Sequence, residues 1–290
     1  MPASARRQTF PPADPARYAP SAERPVRGKS RLMEHQMDIQ PHQHDWGQLV
    51  FSLAGAVRVS AAGPHSDYSY IVPPSRAVWI PPGTVHAVTA IERAELRTLY
   101  LHETAAQALR TAQAEAGEAR PDPWDGCRVL EVSPLLRELV QQIAADLEQA
   151  LLAPQGLDAV REQHLAALII DELRRARGLR LGLDLPRDKR LRKLCEAMLA
   201  APQRHADLDG WAGEVGASAR TLSRLFREEL GTSYSQWRQQ LLLNQALALA
   251  ARKQPMNLIA AELGYASASA FSAMVTRAVG MPPSRFFERA

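Results

Sequence analysis

A short segment occurs twice in the last third of the chain. AGEVG ends at Gly216 and AAELG ends at Gly264. Glycine readily adopts the positive φ that a tight turn after a helix requires. A second helix-like segment follows each turn, LSRLFREELG from Leu222 and FSAMVTRAVG from Phe271. The repeat therefore predicts two helix-turn-helix units, and this constrains the fold of the chain more than any other feature.

The segment between the two units consists of strong helix formers from Ser235 to Lys253. At about 1.5 Å per residue, a helix over this segment would span roughly 28 Å. That length is near the ~34 Å helical repeat of DNA, so the second helices of the two units could enter successive major grooves. A single helix-turn-helix pattern is weakly specific, whereas two in tandem joined by a helix favour DNA binding strongly.

The charge distribution supports the same interpretation. The whole chain has 35 Lys+Arg and 31 Asp+Glu, a net charge of +4. From Arg187 to the end we count 15 Lys+Arg against 9 Asp+Glu, a balance of +6, which leaves 20 against 22, or −2, for the remainder. A basic last third behind a mildly acidic remainder indicates a nucleic-acid partner for the former.

Several classes of protein are disfavoured by composition. Cys127 and Cys195 lie far apart, which argues against a disulfide framework and against a cysteine zinc site. No apolar run is long enough to cross a bilayer, and no apolar segment of a signal peptide follows Arg6 and Arg7. We therefore expect a cytoplasmic protein without a membrane partner.

The composition and the apolar periodicity of the sequence change at three places along the chain. Residues 1–30 are rich in Pro, Ala and Arg and are predicted to be a disordered tail. Residues 31–132 contain short apolar strands separated by Gly and Pro, which predicts a small β-sandwich or barrel. Residues 133–185 have helical periodicity and are expected to form a linker or dimerisation region. Residues 186–290 form the predicted DNA-binding domain.

This last domain resembles the DNA-binding domain of AraC-type transcriptional regulators. The closing segment IAAELGYASASAFSAMVTRAVGMPPSRFF is similar to the second helix-turn-helix of that family almost throughout. The resemblance implies double-stranded DNA as a partner, a homodimer, and RNA polymerase as a further contact.

The family pattern also assigns a DNA-facing side to each second helix. In the first unit it comprises Arg220, Ser223, Arg224 and Arg227, where arginine can bind guanine in a bidentate manner or pair with phosphates. In the second unit, Ala273 and Thr276 stand where the family often has basic or polar residues. The polar side there is Ser267, Ser269, Ser272 and Thr276. We therefore expect the first unit to read bases and the second to contact phosphates.

The β region resembles a cupin, a small β-barrel that often precedes such DNA-binding domains. Its first motif is PHQHDWGQLVFSLAG, with His42, His44 and Gln48, and its second motif, PPGTVH, ends at His86. The hairpin after Pro82 can bring His86 opposite the other two histidines, so that three imidazoles and an amide oxygen converge inside the barrel. The resemblance thus implies a multidomain α+β fold: a cupin-like β-barrel, a helical linker and an all-α domain with two helix-turn-helix units.

Such a cluster would suit zinc, iron, nickel or manganese. Catalytic cupins usually have a carboxylate at the position of Gln48, and a neutral amide is a poorer ligand. The alternative is that the histidines hydrogen-bond a small effector, in a pocket with Trp46 and Trp79 near its mouth. We expect no required cofactor, with a divalent metal as the competing occupant.

These observations predict a sequence-specific DNA-binding regulator, not an enzyme, whose β-barrel senses an effector or a metal. One alternative is a metal-dependent cupin enzyme with a helical appendage. Another is a constitutive architectural DNA binder whose barrel only dimerises. The apolar helices at Leu135–Leu151 and Val160–Leu173 are expected either to form the dimer interface or to pack onto the barrel.

Overall fold

The computed structural model describes residues 9–12, 14–62, 67–74, 76–114, 124–152, 158–179, 182–205 and 207–287. These residues form two compact units. The N-terminal unit comprises the described residues of Met1–Ala61 and Val72–Arg180, and the C-terminal unit those of Ala62–Ile71 and Leu181–Ala290.

The strands and helices are bounded as follows. The strands are Thr9–Phe10 (β1), Val26–Met33 (β2), Asp38–His42 (β3), Gly47–Ser52 (β4), Val57–Ala61 (β5), Asp67–Val72 (β6), Arg76–Ile80 (β7), His86–Ala90 (β8), Ala94–Leu101 (β9), Arg128–Glu131 (β10), Gly178–Leu179 (β11) and Leu183–Leu185 (β12). The helices are Pro15–Tyr18 (α1), Glu103–Ala114 (α2), Pro134–Leu152 (α3), Ala159–Arg175 (α4), Lys189–Ala200 (α5), Leu208–Val215 (α6), Ala219–Leu230 (α7), Tyr234–Ala251 (α8), Met256–Glu262 (α9), Ala268–Val279 (α10) and Pro283–Phe287 (α11).

The N-terminal unit is built on two β-sheets. One contains the strands β1, β3, β8 and β5 in that order, and the other the strands β11, β10, β7, β4, β9 and β2. Each of these pairs is antiparallel except β1 with β3. Together with the helical C-terminal unit, this confirms the predicted α+β multidomain fold with a cupin-like β domain.

The outer face of the second sheet is covered by helices. A Cβ added at Gly28 in β2 would lie 2.7 Å from the backbone nitrogen of Ala144 in α3, so this glycine permits close approach of the helix. Buried residues of α3 and α4 share one hydrophobic cluster with Leu49 and Phe51 of β4. Residues 134–152 and 159–175 thus pack onto the β domain as part of the N-terminal unit. This agrees with one of the two arrangements expected for these helices, whereas the prediction of a separate linker is wrong for these ranges.

The prediction that residues 1–30 form a disordered tail is wrong for much of the part of this range that the structure describes. Strand β1 pairs with β3, and β2 begins at Val26, which is fully buried. The apolar alternation expected of such a strand is missing because the inward-facing positions of β2 carry Arg27, Lys29 and Arg31. Residues 1–8 lie outside the described residues.

The C-terminal unit contains both predicted helix-turn-helix pairs, α6 with α7 and α9 with α10. Gly216 and Gly264 have φ values of 69° and 80°, as the turn prediction requires. The connecting helix α8 runs from Tyr234 to Ala251, close to the predicted Ser235–Lys253.

The C-terminal unit begins earlier than the predicted boundary at residue 186 and includes a piece of the predicted β region. Strand β12 pairs with β6, and its Leu183 and Leu185 belong to the hydrophobic cluster of this unit. Asp67 of β6 forms an ion pair of 2.8 Å with Arg192 of α5. Across the described residues, no helix combines the length and apolar character needed to span a membrane.

Candidate effector site and DNA-binding surface

The three histidines reach one place from different elements. His42 is the last residue of β3 and lies opposite His86, the first residue of β8. His44 lies just beyond β3, where its carbonyl accepts a hydrogen bond of 2.9 Å from the amide of Gly83. Gly83 has a φ of 73° in the turn that precedes His86. The two predicted motifs therefore contact each other in two ways: through the hydrogen bond from this turn to His44, and through the pairing of β3 with β8.

The rings of the histidines are close together. The centroid of the His42 ring lies 4.3 Å from that of His86 and 5.8 Å from that of His44, and the His44 and His86 centroids are 5.1 Å apart. One nitrogen from each ring can be chosen so that all three lie within 4.8 Å of one another. The structure thus places the predicted histidines in one cluster.

Backbone carbonyls fix the proton on each ring. Nδ1 of His42 lies 2.8 Å from the carbonyl oxygen of Gln40. Nδ1 of His44 lies 2.8 Å from the carbonyl oxygen of Trp46, and Nδ1 of His86 lies 2.9 Å from that of Thr84. A carbonyl oxygen only accepts, so Nδ1 carries the hydrogen in all three rings. In a neutral ring this leaves a lone pair on Nε2.

The predicted fourth residue, Gln48, closes the cluster. Its Oε1 lies 2.7 Å from Nε2 of His44 and 3.0 Å from Nε2 of His86. Burial lowers the pKa of His86 to about 4, and burial also lowers the pKa of His42. Where these rings are neutral, their Nε2 lone pairs face an oxygen that can only accept, and this contact is repulsive. Two changes relieve the repulsion: the amide of Gln48 rotates so that its NH₂ donates to the rings, or a cation lies between the nitrogen atoms and the oxygen.

Two cavities adjoin this cluster. The larger, with a volume of about 370 Å³, is lined by residues of the N-terminal segment, of the histidine loop and of β9: Pro12, Asp14, Pro15, Tyr18, His42, Gln43, His44, Asp45, Trp46 and Tyr100. The smaller, of about 20 Å³, is lined by Lys29, Arg31, Ile39, His42, Gln48, Val88, Leu96, Thr98 and Tyr100. His42 and Tyr100 line both cavities, so the two cavities lie next to each other.

The two predicted tryptophans have different places. Trp46 lines the larger cavity and stacks on His44, with centroids 4.9 Å apart and an interplanar angle of 6°. Trp79 is opposite Leu49, so it lies on the other face of the sheet from Gln48. It is fully buried, and its Nε1 donates to the carbonyl of Trp124 at 2.8 Å. The prediction that Trp79 lies at the pocket mouth is wrong because the residue belongs to the hydrophobic core.

Sequence reasoning missed most of the other residues that line the cavities, among them three aromatic or basic residues near the N-terminus and one tyrosine of β9. Tyr18, Lys29 and Arg31 lie in or next to the segment that was predicted to be a tail, and Tyr100 lies in β9. The alternation of basic residues at positions 27, 29 and 31 was a signal for one face of a strand, since side chains two apart share a face.

The predicted DNA-binding residues of the first unit lie on α7. Arg220, Arg224 and Arg227 are exposed and Ser223 is half-buried. Leu222, Leu225 and Phe226, with Leu230, form the buried face of the same helix. Arg224 forms an exposed ion pair of 2.6 Å with Glu228, an interaction that water screens strongly. The helix therefore presents a basic surface opposite its core face.

The polar residues of the second unit lie on or just before α10. Ser269 and Thr276 are exposed and Ser272 is half-buried. Ser267 caps the helix, since its hydroxyl accepts a hydrogen bond of 3.1 Å from the amide of Ala270. The hydroxyl of Thr276 donates to the carbonyl of Ser272 at 2.9 Å. These hydroxyls are partly satisfied within the helix.

Comparison with known proteins identifies both parts. Residues 29–160 match the AraC-like ligand binding domain and residues 211–289 a helix-turn-helix domain. The HTH-type transcriptional regulator NimR of Escherichia coli is 32% identical over 248 residues, which are 86% of this chain and 82% of that protein. The chain belongs to the AraC-type transcriptional regulators.

Two further proteins show weaker similarity. The arabinose operon regulatory protein of Salmonella typhimurium is 30% identical over 142 residues, or 48% of this chain and 50% of that protein. The structure of ToxT from Vibrio cholerae covers 91% of this chain and 99% of its own, at 10% identity and a TM-score of 0.36. A likeness at that level carries no conclusion about ligands.

The AraC-type assignment agrees with the elements described above. The ligand-binding match extends from β2 to the beginning of α4, and the helix-turn-helix match extends from the middle of α6 beyond α11. The chain is thus a DNA-binding transcriptional regulator with a ligand-binding domain. Neither the metal-dependent enzyme nor the architectural DNA binder is supported as an alternative.

Proposed function

We propose that this regulator binds a specific duplex as a homodimer, and that a small effector in the cavities beside His42, His44 and His86 changes that binding. The observation that carries the DNA-binding part is the surface of α7, where Arg220, Arg224 and Arg227 are exposed beside the buried core of a helix-turn-helix unit. In this proposal the effector is detected and is not converted, so it is recovered unchanged after binding.

The two helix-turn-helix units have different tasks. Arginines on α7, with Ser223, read base edges because a guanidinium can bind the O6 and N7 atoms of guanine together. The surface of α10 has short side chains, so its N-terminus and the hydroxyls of Ser267, Ser269, Ser272 and Thr276 contact phosphates instead.

Replacement of Arg224 tests this assignment. A duplex is first selected from a random pool with the full chain, and its affinity is then compared with that of a shuffled duplex. Arg224→Ala should weaken binding to the selected duplex by about 1–3 kcal/mol and relax the base preference. Arg175→Ala is a matched control, because Arg175 is also exposed and also forms an i,i+4 ion pair, but lies on α4. Equal losses on both duplexes would refute base reading by Arg224.

The dimer is supported by apolar residues that the β domain leaves uncovered. Leu135 on α3 and Val160 and Leu168 on α4 are 51%, 60% and 47% exposed, although other apolar residues of the same helices, such as Leu136 and Ile169, are buried. A second copy of the chain would cover them. The contact with RNA polymerase and the cytoplasmic location stay predictions.

A divalent metal is a second candidate occupant of the β domain. The three Nδ1–H groups are held by backbone carbonyls, an arrangement that orients the other nitrogen of metal-binding histidines in proteins. Nε2 of His42, His44 and His86 would hold the ion, with Oε1 of Gln48 as a fourth ligand. The bound ion would supply positive charge that an anionic effector can contact.

Titration of the full chain with zinc tests this occupant. One ion per chain should bind, His86→Gln should weaken binding at least tenfold, and Gln48→Glu should strengthen it because a carboxylate adds negative charge. His164→Gln is the control, since His164 is exposed on α4. Zinc binding that is absent, or that survives His86→Gln unchanged, would exclude the site.

A further inference from the structure

The inner face of β2 carries two cations. Gly28 faces α3, where a Cβ would meet the backbone of Ala144. Side chains alternate along a strand, so Lys29 and Arg31 face the opposite side, toward the interior of the β domain. Both line the smaller cavity and both are half-buried.

Acidic groups compensate these cations poorly. Burial lowers the pKa of Lys29 to about 8, Arg31 and Arg17 act in the same direction, and Asp14 opposes them more weakly. Within the described parts of the chain, neither Lys29 nor Arg31 has a carboxylate within ion-pair distance. Partial burial of a positive charge without a close anion is unfavourable in free energy. Binding of a negative group in this cavity would relieve that penalty.

Aromatic rings are the close partners of both cations. Nζ of Lys29 lies 4.6 Å from the centroid of the Tyr18 ring, and the guanidinium carbon of Arg31 lies 5.9 Å from that of Phe10. Contacts of this kind replace only part of the hydration that burial removes.

The cavities differ in what they can hold. The volume of about 20 Å³ beside Lys29 and Arg31 admits about one water-sized polar group. The adjoining volume of about 370 Å³ is lined by the rings of Tyr18, Trp46 and Tyr100. Nε1 of Trp46 is buried and has no hydrogen-bond partner among the described residues, so one donor is available to a ligand there.

We propose that the effector is a small aromatic carboxylate, whose carboxylate is held by Lys29 and Arg31 and whose ring lies against Tyr18, Trp46 and Tyr100. A carboxylate forms charge-assisted hydrogen bonds with both cations, and aromatic rings pack favourably edge to face or offset. The inference rests on the proposed function and names the chemical class of the same effector.

Calorimetric titration of the full chain with benzoate and with phenylacetate tests the inference. Benzamide is the matched neutral ligand, cyclohexanecarboxylate lacks the aromatic ring, and inorganic phosphate is an anion without a ring. All titrations contain EDTA, so that a carboxylate held only by a metal is not counted. At least one aromatic carboxylate should bind at least tenfold more tightly than benzamide, cyclohexanecarboxylate and phosphate.

Variants then locate the anion site. Lys29→Met and Arg31→Gln should each weaken binding of the carboxylate at least tenfold without lowering the melting temperature, because each removes a poorly compensated charge. Lys29→Arg keeps the charge and should bind within a few-fold of wild type. Arg177→Gln is the control, since Arg177 is exposed in the same unit and lines neither cavity.

Three outcomes would overturn the inference: no aromatic carboxylate binds, benzamide binds as tightly as the carboxylates, or Lys29→Met and Arg31→Gln bind as wild type does. These titrations contain no DNA. A chain that binds the carboxylate but no specific duplex would therefore contradict the proposed regulator and leave the ligand class intact, and the reverse result would do the opposite.

Discussion

Gln48 determines what the histidine cluster can hold. Its amide oxygen lies within hydrogen-bond distance of Nε2 of both His44 and His86, yet it brings no charge. A divalent ion bound by three neutral imidazoles and an amide would keep its full charge, in an interior that already contains Lys29 and Arg31. The positive charge of this interior therefore favours an anionic ligand with or without a bound metal, and a carboxylate at position 48 would oppose that ligand.

The two tryptophans of the β domain give a matched pair of residue-scale variants. Trp79→Ala removes a fully buried ring and should lower the free energy of unfolding by about 3–5 kcal/mol. Trp46→Ala should cost clearly less stability, because Trp46 is half-buried at the cavity, but it should weaken ligand binding. Denaturant unfolding of both variants measures the difference. Equal losses of stability would contradict the placement of the two rings.

At the scale of elements, one carboxylate joins α4 to the chain around β2. Glu162 of α4 is 5% exposed, and its Oε2 accepts hydrogen bonds of 2.7 Å from Arg24. Its Oε1 lies 3.6 Å from Arg27, whose guanidinium also donates to the carbonyl of Arg17 at 3.1 Å. Tyr18, which follows directly, lines the larger cavity. The segment that lines the larger cavity is thus linked to α4 through this carboxylate.

Neutralising this carboxylate should weaken the connection. Glu162→Gln keeps one acceptor but leaves Arg27 without an opposing charge, and should lower the free energy of unfolding by about 1–3 kcal/mol. Glu103→Gln is the control, because Glu103 is 54% exposed in its pair with Arg110 and should cost about 0–1 kcal/mol. Denaturation curves decide between the two, and a loss at Glu162 no larger than at Glu103 would refute the role of the buried group.

The elements that were predicted correctly are those encoded locally. The helix-turn-helix pairs depend on glycine turns at Gly216 and Gly264 and on the apolar period of the helices beside them, all within a short stretch of chain. The histidine cluster likewise depends on two compact motifs. Strand β2, in contrast, is stabilised by pairing with β9, where Val26 lies opposite Leu101, and no local pattern contains that partner.

Trp79 shows a second limit of sequence patterns. Each residue of β7 is buried, so the strand has no alternation of apolar and polar residues from which to assign its faces. Which tryptophan reaches the cavity was therefore not encoded in the periodicity of its strand. In β2 the pattern was present but was not recognised. The basic residues alternate as on one face of a strand, but they lie in or next to a segment whose Pro, Ala and Arg content is typical of a disordered tail.

At the scale of the whole molecule, positive charge occurs in two settings with different partners. The segment from Arg187 onward has 15 basic and 9 acidic residues, and the exposed arginines of α7 lie within it. Binding to DNA should therefore weaken steeply with salt, since each phosphate contact releases counterions. The cations of β2 are half-buried instead and face a cavity of molecular size, which suits a small ligand.

The proposed function requires that this chain distinguishes one DNA sequence from others. The most direct measurement is a fluorescence anisotropy titration of the full chain, at one fixed salt concentration, with the selected duplex and with a shuffled duplex of the same composition. We expect an affinity ratio of at least about 10³ in favour of the selected duplex. A ratio near one would rule out sequence-specific binding.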